Sequence, residues 1–465
     1  MSEPVTKMKE KSKPFLFTQF CKGCGRCVGA CLKGCIRAGT EINPQTGLVP
    51  VILDLEKCTG CGLCVNACPE PYGLRLGEPG FQLQDPEKLF GSRATDAPKP
   101  KPVPDQWFPL PDVEPMVIKG NYAAAIGALI VGCRHVFGYP ITPSTEGAEL
   151  MAKLLPELDG YFFQAVSEVA TVNMMYGTGG AGLPCMTFTS SPGFSLMLEG
   201  ISYMIGSEVP GVFVNVMRGG PGLGNIAPEQ ADIKLMCRGL GHGNTHCIVL
   251  SPSTPQEMLD LSMLAFELTF KYRNPVILAA DGYLGQMTGK VRLPKKMRKP
   301  GIPEWAVYGD RDHRGNLICS IQLLESDLET HNIHINKKYE AMNAAEQRAD
   351  LYLCDDAEVL LVAVNTPARM AKGAVSALRA KGVKAGLFRP VTLWPFPIAK
   401  LAPLLGKVKR IVMVEASNGQ LEDELRLAVS KADAKLPRVS HVRRFGGVLP
   451  QLQEIIDHVV SEVRA

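Results

Sequence analysis

Apolar residues along this chain switch repeatedly between a helical period and short continuous runs. The stretch 120–133, GNYAAAIGALIVGC, spaces small apolar residues as a helix does. It gives way to HVFGYPITPS, a strand followed by a proline-containing turn. TEGAELMAKLLPEL predicts a helix and YFFQAV a strand, and SEVATVNMMYGTGGAG predicts a helix that stops at glycines. PCMTFTSS, FSLMLEGISYMIG and VPGVFVNVM continue the series, followed by HCIVLSP and NPVILAAD around a helix through TPQEMLDLSMLAFELTF. Alternation of this kind predicts a parallel sheet covered on both faces. Residues 291–350 are charged and irregular apart from a helical end, KKYEAMNAAEQRADLY. EVLLVAVN, ARMAKGAVSALRAKG, KAGLFRPV, KRIVMVEAS and GQLEDELRLAVS then repeat the alternation, predicting a second, smaller α/β domain.

The first 115 residues follow neither period. Residues 97–115, APKPKPVPDQWFPLPDVEP, are too proline-rich for a helix or a central strand and read as an extended tether. The expected organisation is therefore a small domain at 14–78, a linker at 79–115, an α/β domain at 116–290, a connector at 291–350 and a closing α/β domain at 351–462. A length of 465 residues accommodates that many units. With Lys+Arg 50 against Asp+Glu 46, the chain has no charge excess that would argue for nucleic acid. The polar start MSEPVTKMKEKSK lacks the apolar segment of a secretory signal, and the run at 122–133 is too short to cross a bilayer. A cytoplasmic protein is expected.

Of 15 cysteines, nine fall between Cys21 and Cys68. Cys21, Cys24, Cys27 and Cys31 follow C-x2-C-x2-C-x3-C, and Cys58, Cys61, Cys64 and Cys68 repeat it. This is the spacing of bacterial two-cluster ferredoxins, in which the fourth cysteine of each run crosses to the other cluster. One 4Fe–4S cluster is then expected on Cys21, Cys24, Cys27 and Cys68, and the other on Cys58, Cys61, Cys64 and Cys31. Two-residue gaps wrap the backbone around a cube, and Gly23, Gly25, Gly60 and Gly62 let it approach closely. Zinc is the competing reading, but structural zinc sites pair C-x2-4-C knuckles rather than triple runs. The first run has Leu32 where the second has Pro69. Cys35 is a fifth cysteine, read as a small buried filler rather than a spare ligand. Cys133, Cys185, Cys237, Cys247, Cys319 and Cys354 lack ligand spacing and are expected in the core.

Six ordered motifs carry a resemblance covering residues 115–460: GYPITPSTE, SEVATVNM, SSPGFSLMLEG, RGGPGLGNIAPEQAD, DGYLGQM and LFRPVTLWPFP. In these the chain resembles the α subunit of the 2-oxoacid:ferredoxin oxidoreductases, of the branched-chain or 2-oxoglutarate type, with a fused two-cluster ferredoxin domain. The resemblance implies an α/β fold: the cluster domain, a pyrimidine-type thiamine-diphosphate-binding domain and a transketolase C-terminal-like domain. It implies oxidative decarboxylation of a 2-oxoacid with coenzyme A to acyl-CoA and CO2, electrons leaving through the clusters to an external ferredoxin. The family's β subunit holds the diphosphate and Mg2+, so activity is expected only in a hetero-oligomer, with a γ subunit and dimeric symmetry. The sequence agrees with that division, because a Gly-Asp-Gly turn with following Asn ligands is missing. Its nearest string is Ala280-Asp281-Gly282, which reads as a turn at a strand end.

The same resemblance assigns site residues. Glu168 matches the activating glutamate that bonds the thiamine pyrimidine; a carboxyl opening a helix is otherwise a common macrodipole partner. Arg218 matches the substrate-carboxylate arginine at a strand end. Thr142 matches a substrate-contacting threonine, with Tyr139, Pro140 and Ile141 beside the cofactor. His242 and His246 are read as structural. GGPGLGNIAP after Arg218 offers no second cation for a distal carboxylate, which favours 2-oxoisovalerate over 2-oxoglutarate. An electron-transfer subunit with an inactive thiamine domain is the alternative.

Overall fold

The computed structural model describes residues 11–70, 72–77 and 100–464. It divides into two compact units, residues 1–97 and 98–465. Most of the polar start (1–10) and the first part of the expected linker (79–99) lie outside the described residues.

In the smaller unit, β1 (Pro14–Leu16) pairs antiparallel with β4 (Leu74–Leu76), and β2 (Ile36–Arg37) with β3 (Ile52–Leu53). Two five-residue helices, Arg26–Ala30 and Leu63–Ala67, occupy equivalent places in the two cysteine runs. Each starts from a glycine in the left-handed region, Gly25 at φ 72° and Gly62 at φ 76°, a conformation open to glycine without steric cost. The buried core is Cys27, Cys35, Ile36, Val51, Cys64 and Leu74. A core this small and half cysteine leaves much of the unit's cohesion to whatever the thiols bind.

The larger unit opens with β5 (Gln106–Pro109) and β6 (Met116–Lys119). These pair with β14 (Lys296–Lys299) and β13 (Thr288–Val291), so the described end of the tether is extended and lies at a two-stranded edge. The main sheet is built from β7 (His135–Gly138), β8 (Tyr161–Gln164), β9 (Cys185–Thr189), β10 (Val212–Met217), β11 (Ile248–Leu250) and β12 (Val276–Asp281). These six run parallel, and every residue of β9, β10 and β12 is buried, as expected of strands covered by helices on both faces. Small residues bring the helices close. A Cβ at Gly127 of the helix Gly120–Ile130 would crowd the Leu259 carbonyl of the helix Pro255–Tyr272.

The second sheet runs β15 (Ala349–Tyr352), β17 (Ala385–Pro390), β16 (Val359–Val362), β19 (Arg410–Glu415), β20 (Arg438–Arg443), with β15 antiparallel at the edge. The remaining strand, β18 (Thr392–Trp394), lies within the stretch expected to close a separate domain, yet it joins the first sheet antiparallel to β11. The main sheet order is thus β18-β11-β12-β10-β9-β7-β8. Trp394 of β18 stacks on His246 with ring centroids 4.6 Å apart, and Tyr339 donates to the Asn244 carbonyl nearby. His246 is therefore part of the packing between layers. Asp281 caps the helix Gly282–Gln286 through Leu284 N and accepts from Thr366 N and Oγ1, tying the two sheets together. Five of the six scattered cysteines are buried; Cys319 is half-buried in a loop and stands outside the core expected for it.

Candidate functional site

Because β8, β7, β9, β10 and β12 are parallel neighbours, the loops leaving them gather at one edge, where ligands of such sheets collect. The β7 loop carries Tyr139–Thr142, the β8 loop ends at Ser167 and Glu168, β9 runs into Ser190, and β10 into Arg218.

Ser167 caps the helix Glu168–Gly180 by accepting from Ala170 N (3.3 Å). Glu168 is then the first helical residue, 4% exposed, and its carboxyl group has no hydrogen-bond or ion-pair partner among the described residues. Burying such a group without a partner is costly unless a ligand supplies the bond. It faces Gly193 of the helix Ser191–Gly206. A Cβ at that glycine would overlap both Glu168 Oε1 and the Thr189 hydroxyl, itself buried and without a partner among the described residues. The notch thus holds two unsatisfied oxygens kept open by a missing side chain.

Arg218 sits one step along the edge. Its backbone N–H donates to Ser191 Oγ (3.0 Å), on the helix that carries Gly193. Its guanidinium donates from Nη1 to the Thr142 carbonyl (2.7 Å) and from Nη2 to the Leu223 carbonyl (3.3 Å), while Nε is buried without a partner among the described residues. Arg218 and Thr142 therefore meet, though through the threonine's backbone. The Thr142 hydroxyl has no hydrogen-bond partner among the described residues and lies exposed. Tyr139 and Pro140 are exposed, and Ile141 accepts from Ser144 through its carbonyl.

Three supports for this edge were not singled out from the sequence. Asn121 and Gln286 both donate to the Pro143 carbonyl and to Glu146, fixing the β7 loop from below. Burial opposes ionisation of Glu146, but hydrogen bonds from Gln286, its own backbone amide and Lys119 hold its carboxyl below the usual range. Glu229, buried, accepts from Gly220 N (2.7 Å) and Gly446 N (3.2 Å), pinning the Arg218 loop to a loop after β20.

In the smaller unit the cysteines fall into two hollows. Cys21, Cys24, Cys27 and Cys68 line one of about 20 Å³, and Cys31, Cys58, Cys61 and Cys64 line another of about 150 Å³, with Cys35 in its wall. Cys68 thus lies with the first three cysteines of the other run, and Cys31 with Cys58, Cys61 and Cys64. Backbone amides donate to three sulfurs: Val51 N to Cys21 Sγ, Cys35 N to Cys31 Sγ and Gly60 N to Cys58 Sγ. Gly73 leaves room for Cys68 Sγ, since a Cβ there would come within 3.0 Å. Among the described residues no three Cys, His, Asp or Glu side chains converge as a site for a single metal ion would require. All-thiol surroundings with amide N–H donors suit iron–sulfur clusters.

Residues 126–348 match the family profile of the thiamine diphosphate-binding domain of pyruvate flavodoxin/ferredoxin oxidoreductases, and 357–455 match core domain II of pyruvate:ferredoxin oxidoreductase. Residues 20–71 match the 4Fe–4S dicluster domain. The chain is 45% identical over 342 residues to ketoisovalerate oxidoreductase subunit VorB of Methanothermobacter marburgensis, covering 73% of this chain and 96% of that protein. This chain belongs to the 2-oxoacid:ferredoxin oxidoreductase family.

A second relative in that family is 2-oxoglutarate synthase subunit KorA of Methanocaldococcus jannaschii, 36% identical over 372 residues, covering 73% of this chain and 97% of that protein. A solved 2-oxoglutarate:ferredoxin oxidoreductase from Magnetococcus marinus matches at 25% identity with a TM-score of 0.68, over 75% of this chain and 65% of that one. The chain is thus an oxidoreductase subunit of mixed α/β fold, with a 4Fe–4S dicluster domain and a thiamine diphosphate-binding domain. The relatives carry subunit names, which makes it a component of a multi-subunit enzyme. Among the described residues no helix is long and apolar enough to cross a membrane.

Proposed function

We propose that this chain is the α subunit of a branched-chain 2-oxoacid:ferredoxin oxidoreductase. In that reaction a 2-oxoacid anion, coenzyme A and two oxidised ferredoxins give acyl-CoA, CO2, one proton and two reduced ferredoxins. The observation that carries the reading is the buried Glu168 carboxyl, without a partner among the described residues, in a notch kept open by Gly193. Thiamine diphosphate, when bound, supplies a carbon nucleophile for the 2-oxo group and a sink for the electrons left by departing CO2.

This chain's residues do the rest of the work at that edge. Glu168 bonds the pyrimidine nitrogen and exchanges a proton there, with the Thr189 hydroxyl beside it as a second polar contact. Arg218, held by two carbonyls, presents its remaining N–H donors to the substrate carboxylate. The Thr142 hydroxyl bonds the 2-oxo oxygen or the carboxylate, and Tyr139, Pro140 and Ile141 border the cofactor. A partner β subunit supplies the diphosphate and Mg2+ ligands, a γ subunit completes the complex, and the cysteine hollows pass electrons to ferredoxin.

Two features favour 2-oxoisovalerate: the high identity to a ketoisovalerate oxidoreductase subunit, and the uncharged loop Gly219–Pro228 beside Arg218. The native complex, assayed with coenzyme A and ferredoxin, is expected to turn over 2-oxoisovalerate with at least tenfold higher kcat/KM than 2-oxoglutarate, about 1.4 kcal/mol of discrimination. Preference for 2-oxoglutarate overturns the substrate assignment.

A further inference from the structure

The two cysteine hollows are not equivalent. In the first, the fourth thiol, Cys68, packs against Gly73, which has no side chain to offer. In the second, the fourth thiol, Cys31, packs against Cys35, and five thiols line the space instead of four. The backbone explains the difference. Gly34, at φ 63°, closes a turn in which its N–H donates to the Cys31 carbonyl, and the chain folds back so that Cys35 N donates to Cys31 Sγ at 3.2 Å. Asp54 N donates to the Cys35 carbonyl and β2 follows at once, so the residue is anchored from both sides. Cys35 is 4% exposed, and its thiol meets the Cys31 thiol and makes a long contact of 3.8 Å to the Lys33 carbonyl, which a rotation about its side chain would release. The second hollow is also the roomier, about 150 Å³ against about 20 Å³.

We propose that Cys35 is an interchangeable fourth ligand of the second 4Fe–4S cluster, able to take the place of Cys31. The proposal rests on the dicluster domain and not on the identity of the 2-oxoacid. A cluster with two candidate fourth thiolates survives loss or oxidation of one of them, whereas the first cluster has no such reserve.

The test uses the full chain purified without oxygen, with iron and sulfide content and electron paramagnetic resonance as readouts. Cys31→Ala is expected to keep about eight irons per chain and two 4Fe–4S signatures. The double variant Cys31→Ala/Cys35→Ala is expected to fall below that and show a three-iron species, and Cys68→Ala, without a reserve thiol, to behave like the double variant. Equal iron loss in Cys31→Ala and the double variant overturns the proposal. If Cys31→Ala does not accumulate, Cys35→Ser decides the matter, since serine fills the same space with a poor iron ligand. The proposal expects Cys35→Ser to release iron to a chelator several-fold faster than the native chain, and an unchanged rate refutes it.

Discussion

Glu168 is where a single side chain has the most to lose. Its carboxyl is buried at the first position of a helix, where the axial dipole favours an acid, yet no group among the described residues bonds it. Glu168→Gln keeps the size and hydrogen-bonding shape and removes proton exchange. It is expected to lower turnover about 10²- to 10⁴-fold while iron content and subunit assembly stay native. Activity within a few-fold of native would assign the carboxyl to helix capping alone. The eight cysteines of the two runs stand out in the sequence as thiols at fixed short gaps, and Glu168 stands out through the SEVATVNM motif that carries the family resemblance. Thr189 and Gly193 do not, because the notch joins residues 21 and 25 positions downstream of Glu168, and sheet order alone brings them to it. Arg218 was legible as a cation at a strand end, but its anchoring by the Thr142 and Leu223 carbonyls was not.

Between elements, the substrate-side loop is held from the far side of the sheet. Glu229 accepts from Gly220 N and Gly446 N, while Asn225 Nδ2 donates to the Gly446 carbonyl (2.9 Å), so the loop after β10 is clamped to the loop after β20. Next to it, Gln230 Nε2 donates to Val364 O and Gln230 Oε1 accepts from Ala416 N, joining the same layers. Glu229→Ala leaves two amides unpaired, at about 1–3 kcal/mol each, and loosens the backbone that aims Arg218. The expected result is a KM for the 2-oxoacid raised about tenfold with a smaller change in kcat, and only partly recovered in Glu229→Gln, whose one amide oxygen accepts from one of the two backbone amides while its NH2 faces the other. Equal KM in Glu229→Ala and native enzyme would disconnect the clamp from substrate binding. The alternation of periods showed both sheets in advance. It did not show that β18 crosses into the first sheet, because a three-residue strand flanked by prolines carries too short a pattern to reveal its partner.

At the scale of the molecule, the two units are stabilised by different means. From residue 98 onward, a large apolar core runs through both sheets and includes Phe188, Phe213, Phe266 and Phe388, all fully buried. Among the described residues the smaller unit has six buried core residues, three of them cysteines, so bound iron replaces the apolar area that a domain of that size lacks. Removing iron should therefore unfold one unit and spare the other. After anaerobic chelation of the full chain, the visible absorbance is expected to disappear and limited proteolysis to begin within residues 11–77. The main thermal transition, carried by the larger unit, should move by no more than a degree or two. A fall of that transition in step with iron loss would mean that the clusters stabilise the α/β unit as well. Persistent protease resistance of the smaller unit would mean that its six-residue core suffices without metal. Either result would contradict a division in which apolar burial supports one unit and thiolate–iron bonds support the other.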